Sequence, residues 1–75
     1  MYPLPSVNNV ATGEKIRQIM KEKNLTVSDV QDYLNLEAVQ TIYHWFHGRN
    51  APSLDNLYAL SKYFGVSIDE ILCGN

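Results

Sequence analysis

Leu25-Thr26-Val27-Ser28-Asp29-Val30-Gln31-Asp32-Tyr33-Leu34-Asn35-Leu36-Glu37-Ala38-Val39-Gln40-Thr41-Ile42-Tyr43-His44-Trp45-Phe46-His47-Gly48 is the stretch on which the fold turns. Thr26 followed three residues later by Asp29 has the form of a capping box, and Val27, Val30 and Leu34 then share one helical face until Asn35 breaks the period. After the short segment Asn35-Leu36, the run Glu37 to His47 places Val39, Ile42, Trp45 and Phe46 on one side of a second helix, and Gly48 supplies a left-handed stop. Helices joined by so short a turn cross steeply, so one face of the second projects from the surface in the manner of a helix-turn-helix.

The same periodicity extends in both directions. Ile16, Ile19 and Met20 form a stripe that predicts a helix over about 13 to 23, with Thr12 as its N-cap and Asn24 as its stop. On the other side, Pro52 and Ser53 restart the chain and Leu54, Leu57, Leu60, Ser61 and Phe64 line one face until Gly65. Ser67 with Glu70 caps a last short helix carrying Ile68, Ile71 and Leu72. No alternating pattern competes for a strand. The fold class is therefore all-α, a compact five-helix bundle whose expected core is Ile16, Ile19, Val30, Leu34, Ile42, Trp45, Leu57, Leu60, Ile68 and Leu72. Tyr43, Trp45, Phe46, Tyr58, Tyr63 and Phe64 are expected in that core or at its margin.

Residues 12–75 form the single domain expected of a chain of 75 residues, and residues 1–11, with Pro3 and Pro5, read as a flexible arm. A domain of this size buries only about 60% of the surface its unfolded chain exposes, which leaves little room for a substrate cavity beside the core and favours binding over catalysis. Cys73 is the one cysteine, so there is no internal disulfide, and the reducing cytoplasm suits it. No apolar run is long enough for a secretory signal or a membrane span.

With the helices laid out, the chain resembles the phage-repressor and Cro-like (xenobiotic-response-element type) family of bacterial DNA-binding domains over about residues 13 to 72. The residues that carry the likeness are Gly13-Glu14-Lys15-Ile16-Arg17, Leu25-Thr26, Leu34-Asn35-Leu36, Ile42-Tyr43-His44-Trp45, Gly48, Pro52-Ser53-Leu54-Asp55-Asn56-Leu57 and Gly65-Val66-Ser67-Ile68-Asp69-Glu70-Ile71-Leu72. The resemblance implies a lambda-repressor-like bundle with a central helix-turn-helix. It also implies a transcriptional regulator, such as a bacterial or mobile-element repressor, that binds double-stranded DNA as a homodimer. It implies no enzymatic activity, cofactor or small-molecule ligand.

The chain departs from the family pattern at four places. Gln31 stands for a small residue, Asn35 for glycine, Val27 for a polar residue and Phe46 for an acid, and the spacing from Leu36 to Ile42 is longer by one. In the family that acid pairs with the arginine of the first helix, here Arg17; without it, Arg17 is expected either to pair elsewhere, with Asp55 in the first turn of the fourth helix as the candidate, or to stay partly solvated, because a buried guanidinium left unpaired is costly.

Opposite the apolar stripe of the third helix stand Glu37, Gln40, His44 and His47, flanked by Thr41 and Tyr43. Gln40, Thr41, Tyr43 and His44 are the base-reading candidates, since glutamine can grip adenine by two bonds, threonine can donate or accept, and a ring can meet the thymine methyl. Places that touch phosphate in the family hold Thr26, Val27 and Ser28 at the start of the second helix, Arg49 and Asn50 after the third, and Asn56 in the fourth; His47 at the end of the third helix is a further phosphate candidate, and of the first three Thr26 and Ser28 are the side-chain candidates. As the pH falls toward about 6, His44 and His47 are expected to gain charge and strengthen binding.

Charge pulls the other way. The net charge is −2, and from Asn24 to Gly48 there is no Lys or Arg, whereas Asp29, Asp32 and Glu37 are present. Lys15, Arg17, Lys21 and Lys23 on the first helix are expected to concentrate positive potential at one end of the domain rather than over the reading helix, which makes for modest affinity per domain. The alternative is a helix-turn-helix scaffold that docks a protein, such as an antitoxin or a regulator partner, without touching DNA. His44 and His47 lack further ligands at helical spacing, so no metal site is expected. Ser28, His44 and Asp32 have neither an elbow nor an oxyanion loop, so no hydrolase is expected.

Overall fold

Four side-chain caps, each accepting a bond from the backbone N–H three residues on, set where helices begin. Asn8 caps Ala11, Thr26 caps Asp29, Ser53 caps Asn56 and Ser67 caps Glu70. The computed structural model describes residues 5–74, and the caps open α1 (Asn9–Glu22), α2 (Val27–Leu34), α4 (Leu54–Phe64) and α5 (Ile68–Ile71). Between α2 and α4 lies α3 (Gln40–Phe46).

The first helix starts earlier than its apolar stripe suggests. Asn8, not Thr12, is the N-cap; Thr12 lies inside α1, 1% exposed, and its Oγ1 accepts the Cys73 N–H at 3.0 Å. Of the expected arm, residues 1–4 lie outside the described residues. Val7 forms an antiparallel bridge with Gly74, the Asn8 N–H donates to the Cys73 carbonyl at 2.7 Å, and Asn9 to Ala11 are already helical.

The third helix starts later, at Gln40 rather than Glu37. Val39 has no side-chain oxygen with which to cap, and the N–H groups of Ile42 and Tyr43 both bond back to its carbonyl, so the helix winds from there. The turn between α2 and α3 thus runs over residues 35–39, which moves Glu37 and Ala38 out of the third helix. Two of the departures from the family pattern build this turn. Asn35 takes the left-handed conformation, φ 55° and ψ 44°, that a glycine would otherwise supply. The Gln31 amide reaches forward and donates to the Leu36 carbonyl at 3.3 Å.

Ile16, Ile19, Met20, Val30, Ile42, Trp45, Leu57, Leu60, Phe64 and Ile71 meet in one core. Leu34, Ile68 and Leu72, expected there, only pack against it from its margin, and Ile71 is the fully buried residue of α5. Leu54 is 78% exposed and not part of the buried face of α4. Among the aromatic residues, Trp45 and Phe64 are core and Phe46 and Tyr63 marginal, whereas Tyr43 and Tyr58 are exposed. Helix α3 packs chiefly against α1. A Cβ at Gly13 would run into the carbonyl oxygen of Trp45, so only glycine lets the two backbones come this close.

Candidate nucleic-acid interface

Burial of Ile42 and Trp45 fixes the rotation of α3 and turns Gln40, Tyr43 and His47 to the exterior, with Thr41 and His44 half-buried between them. Gln40 is the first residue of the helix, and the first turn of a projecting helix is the part that can enter deepest into a groove. His44 lies one turn further on. At the far end Gly48 turns the chain with φ 71°, packed so closely on Val10 that a side chain would meet the Val10 backbone at 2.9 Å. The exposed residues Arg49 and Asn50 follow, and the Arg49 guanidinium comes back to within 3.4 Å of His44 Nε2. With arginine as the donor, the imidazole nitrogen accepts.

The helix starts are less open to an anion than their sequences suggest. The Thr26 N–H donates to the Asp29 carboxylate at 2.8 Å and the Thr26 hydroxyl accepts from the Asp29 N–H, so the capping box occupies both and sets an acid beside them. What α2 presents outward is its next two N–H groups, of Val27 and Ser28, which have no acceptor within the helix. At α4 the Asn56 N–H is taken up by the Ser53 hydroxyl, which leaves the Asn56 side chain as the group able to reach a phosphate.

Charge is where the structure changes the picture most. Because α1 lies against α3, Arg17 and Lys21 do not sit at a remote end of the domain. They line an open groove of about 770 Å³ together with Met20, Thr26, Phe46 and His47. Tyr43 borders the same groove and meets Phe46 edge to face at 5.8 Å. Of the two outcomes expected for Arg17, pairing with Asp55 does not occur and exposure to solvent does: the arginine is exposed, its guanidinium carbon stands 5.9 Å from the centre of the Phe46 ring, and neither residue forms an ion pair among the described residues. The ring that replaced the acid carries the cation in its stead. Sequence reasoning missed this wall of the site; the i, i+4 spacing of Arg17 and Lys21 on one face of α1 was the available signal.

Among the described residues no cluster of three or more His, Cys, Asp or Glu side chains is placed to hold a metal, and no helix is long and apolar enough to cross a membrane.

Known proteins share this fold. The chain is 36% identical over 62 residues to the HTH-type transcriptional activator BcrR of Enterococcus faecalis, a match that covers 83% of this chain and 30% of that protein. A transcriptional regulator from Listeria innocua superposes with a TM-score of 0.74 at 28% identity, covering 81% of this chain and 56% of that one. The restriction-modification controller protein C.AhdI from Aeromonas hydrophila gives a TM-score of 0.74 at 19% identity, over 84% of this chain and 94% of that one, and so shows the shared fold. This chain therefore spans about a third of the length of the curated relative that it matches. The model of the helix-turn-helix family matches residues 16–71, from the buried Ile16 of α1 to the buried Ile71 of α5, and the chain belongs to that family of Cro-like DNA-binding domains.

Proposed function

We propose that this domain acts as a sequence-specific transcriptional regulator that places α3 in the major groove of an operator and binds it as a homodimer. The observation that carries the reading is the projection of Gln40 from the first turn of α3 while Ile42 and Trp45 anchor the opposite face in the core. Gln40, Thr41, Tyr43 and His44 contact base edges in this reading, and Thr26, Ser28, His47, Arg49, Asn50 and Asn56 contact the phosphate backbone. A helix of seven residues is about 10 Å long and reaches only a few base pairs. Two copies on two half-sites supply the specificity that one lacks. Such a regulator works in the cytoplasm.

Fluorescence anisotropy with selected and scrambled duplexes, at low and moderate salt, tests the reading, together with the mass of the complex by sedimentation. The expected result is tighter binding to the selected duplex, affinity that falls with salt, and two protomers per duplex. A protein that binds neither duplex at low salt would sink the DNA reading and leave the protein-docking scaffold in its place.

A further inference from the structure

We propose that Arg17 and Lys21 form a phosphate-binding edge on the α1 wall of the groove beside α3, with the Phe46 ring as the platform that holds the arginine ready. The inference rests on the DNA reading above and adds a contact outside the helix-turn-helix itself. Arg17 is exposed, lies over Phe46 at 5.9 Å, and forms no ion pair among the described residues. A guanidinium carried on a ring face keeps its N–H groups free along its edge, and those are the groups that fit a phosphate.

Lys21 follows one helical turn later on the same groove wall, so the two cations are neighbours along α1 and can reach the same nucleic-acid strand. Thr26, Tyr43 and His47, all on the DNA-facing side of the proposed complex, line the same groove. A strand lying along α3 therefore passes within reach of both cations. Glu14 lies in the groove as well, one turn before Arg17, and its carboxylate confines a polyanion to the part of the groove nearer Lys21. An acidic polypeptide would meet the same two cations. What favours DNA is that the groove is shared with the projecting helix.

The test is the salt dependence of duplex binding for the full chain and for Arg17→Ala, Lys21→Ala and the control Lys62→Ala, whose ammonium lies over the Tyr58 ring on α4. The two α1 variants should each flatten the plot of log affinity against log salt by about one unit, so that the loss between about 50 and 200 mM salt shrinks three- to four-fold. The effect should be equal on selected and scrambled duplexes, and Lys62→Ala should leave the slope as it is. Phe46→Leu should weaken binding while keeping the slope, because it removes the platform and not the charge; its melting curve shows whether it has folded. If the unsubstituted protein binds duplex and Arg17→Ala and Lys21→Ala keep its slope, the edge is refuted and the DNA reading stands. If the protein binds no duplex, both fall. Capture of polyglutamate in place of duplex, lost in Arg17→Ala, would assign the groove to an acidic protein and likewise overturn the proposal.

Discussion

Gln40 and Arg49 are both exposed and stand at the two ends of the α3 segment, nine residues apart, yet they are expected to act differently. Gln40→Ala should relax preference at one base pair, at a cost of about 1–3 kcal/mol on the preferred sequence alone. Arg49→Ala should weaken all duplexes alike and reduce the salt slope by about one unit. Anisotropy titrations on a panel of single-base variants of the operator separate the two. In the proposed complex His44 would link the two groups, because its Nε2 lies 3.4 Å from Arg49 and it stands one turn after Gln40 on α3.

At the scale of the helices, the close approach of α1 and α3 decides the most. Gly13→Ala raises helix propensity by about 1 kcal/mol, but its methyl would have to displace the Trp45 carbonyl, so the variant should unfold at lower urea than the parent. Trp45→Ala, at a site 2% exposed, should cost about 3–5 kcal/mol, a large part of what holds a domain of this size, and denaturant titration followed by circular dichroism measures it. Three helix starts were legible in the sequence because a short polar side chain directly precedes the apolar stripe: Thr26, Ser53 and Ser67 stand before α2, α4 and α5, whereas Asn8, which caps α1, lies a full turn ahead of the position from which that stripe was read. The two misplaced starts have one origin. Thr12 and Glu37 look like helix-initiating residues, but Thr12 is engaged with Cys73, sixty-one positions away, and Glu37 lies in a turn shaped by Gln31. Bonds of that kind have no local periodicity to betray them. Leu54 is exposed because it is the first residue of α4, and Ile68 and Leu72 fall at the margin because they flank the one buried position, Ile71, of a four-residue helix.

For the molecule as a whole, the charge balance was read correctly as a sum and wrongly as a map. Net charge −2 and an acidic motif follow from composition, but the position of Arg17 and Lys21 depends on how α1 lies against α3, and the Phe46 substitution gave only a hint of it. One long-range tie can be tested alone. Thr12→Val keeps the shape of the side chain but leaves the partly buried Cys73 N–H without its acceptor, and should cost about 1–3 kcal/mol in urea unfolding with no change in the salt slope of DNA binding. The pairing of Val7 with Gly74 has a mechanical meaning as well. Because the two segments run antiparallel, a pull that parts Val7 from Gly74 opens the bridge like a zipper instead of sliding one segment along the other. Tension would break its bonds one at a time and arrive next at the cap of α1, which makes this corner the place where a stretched molecule first gives way.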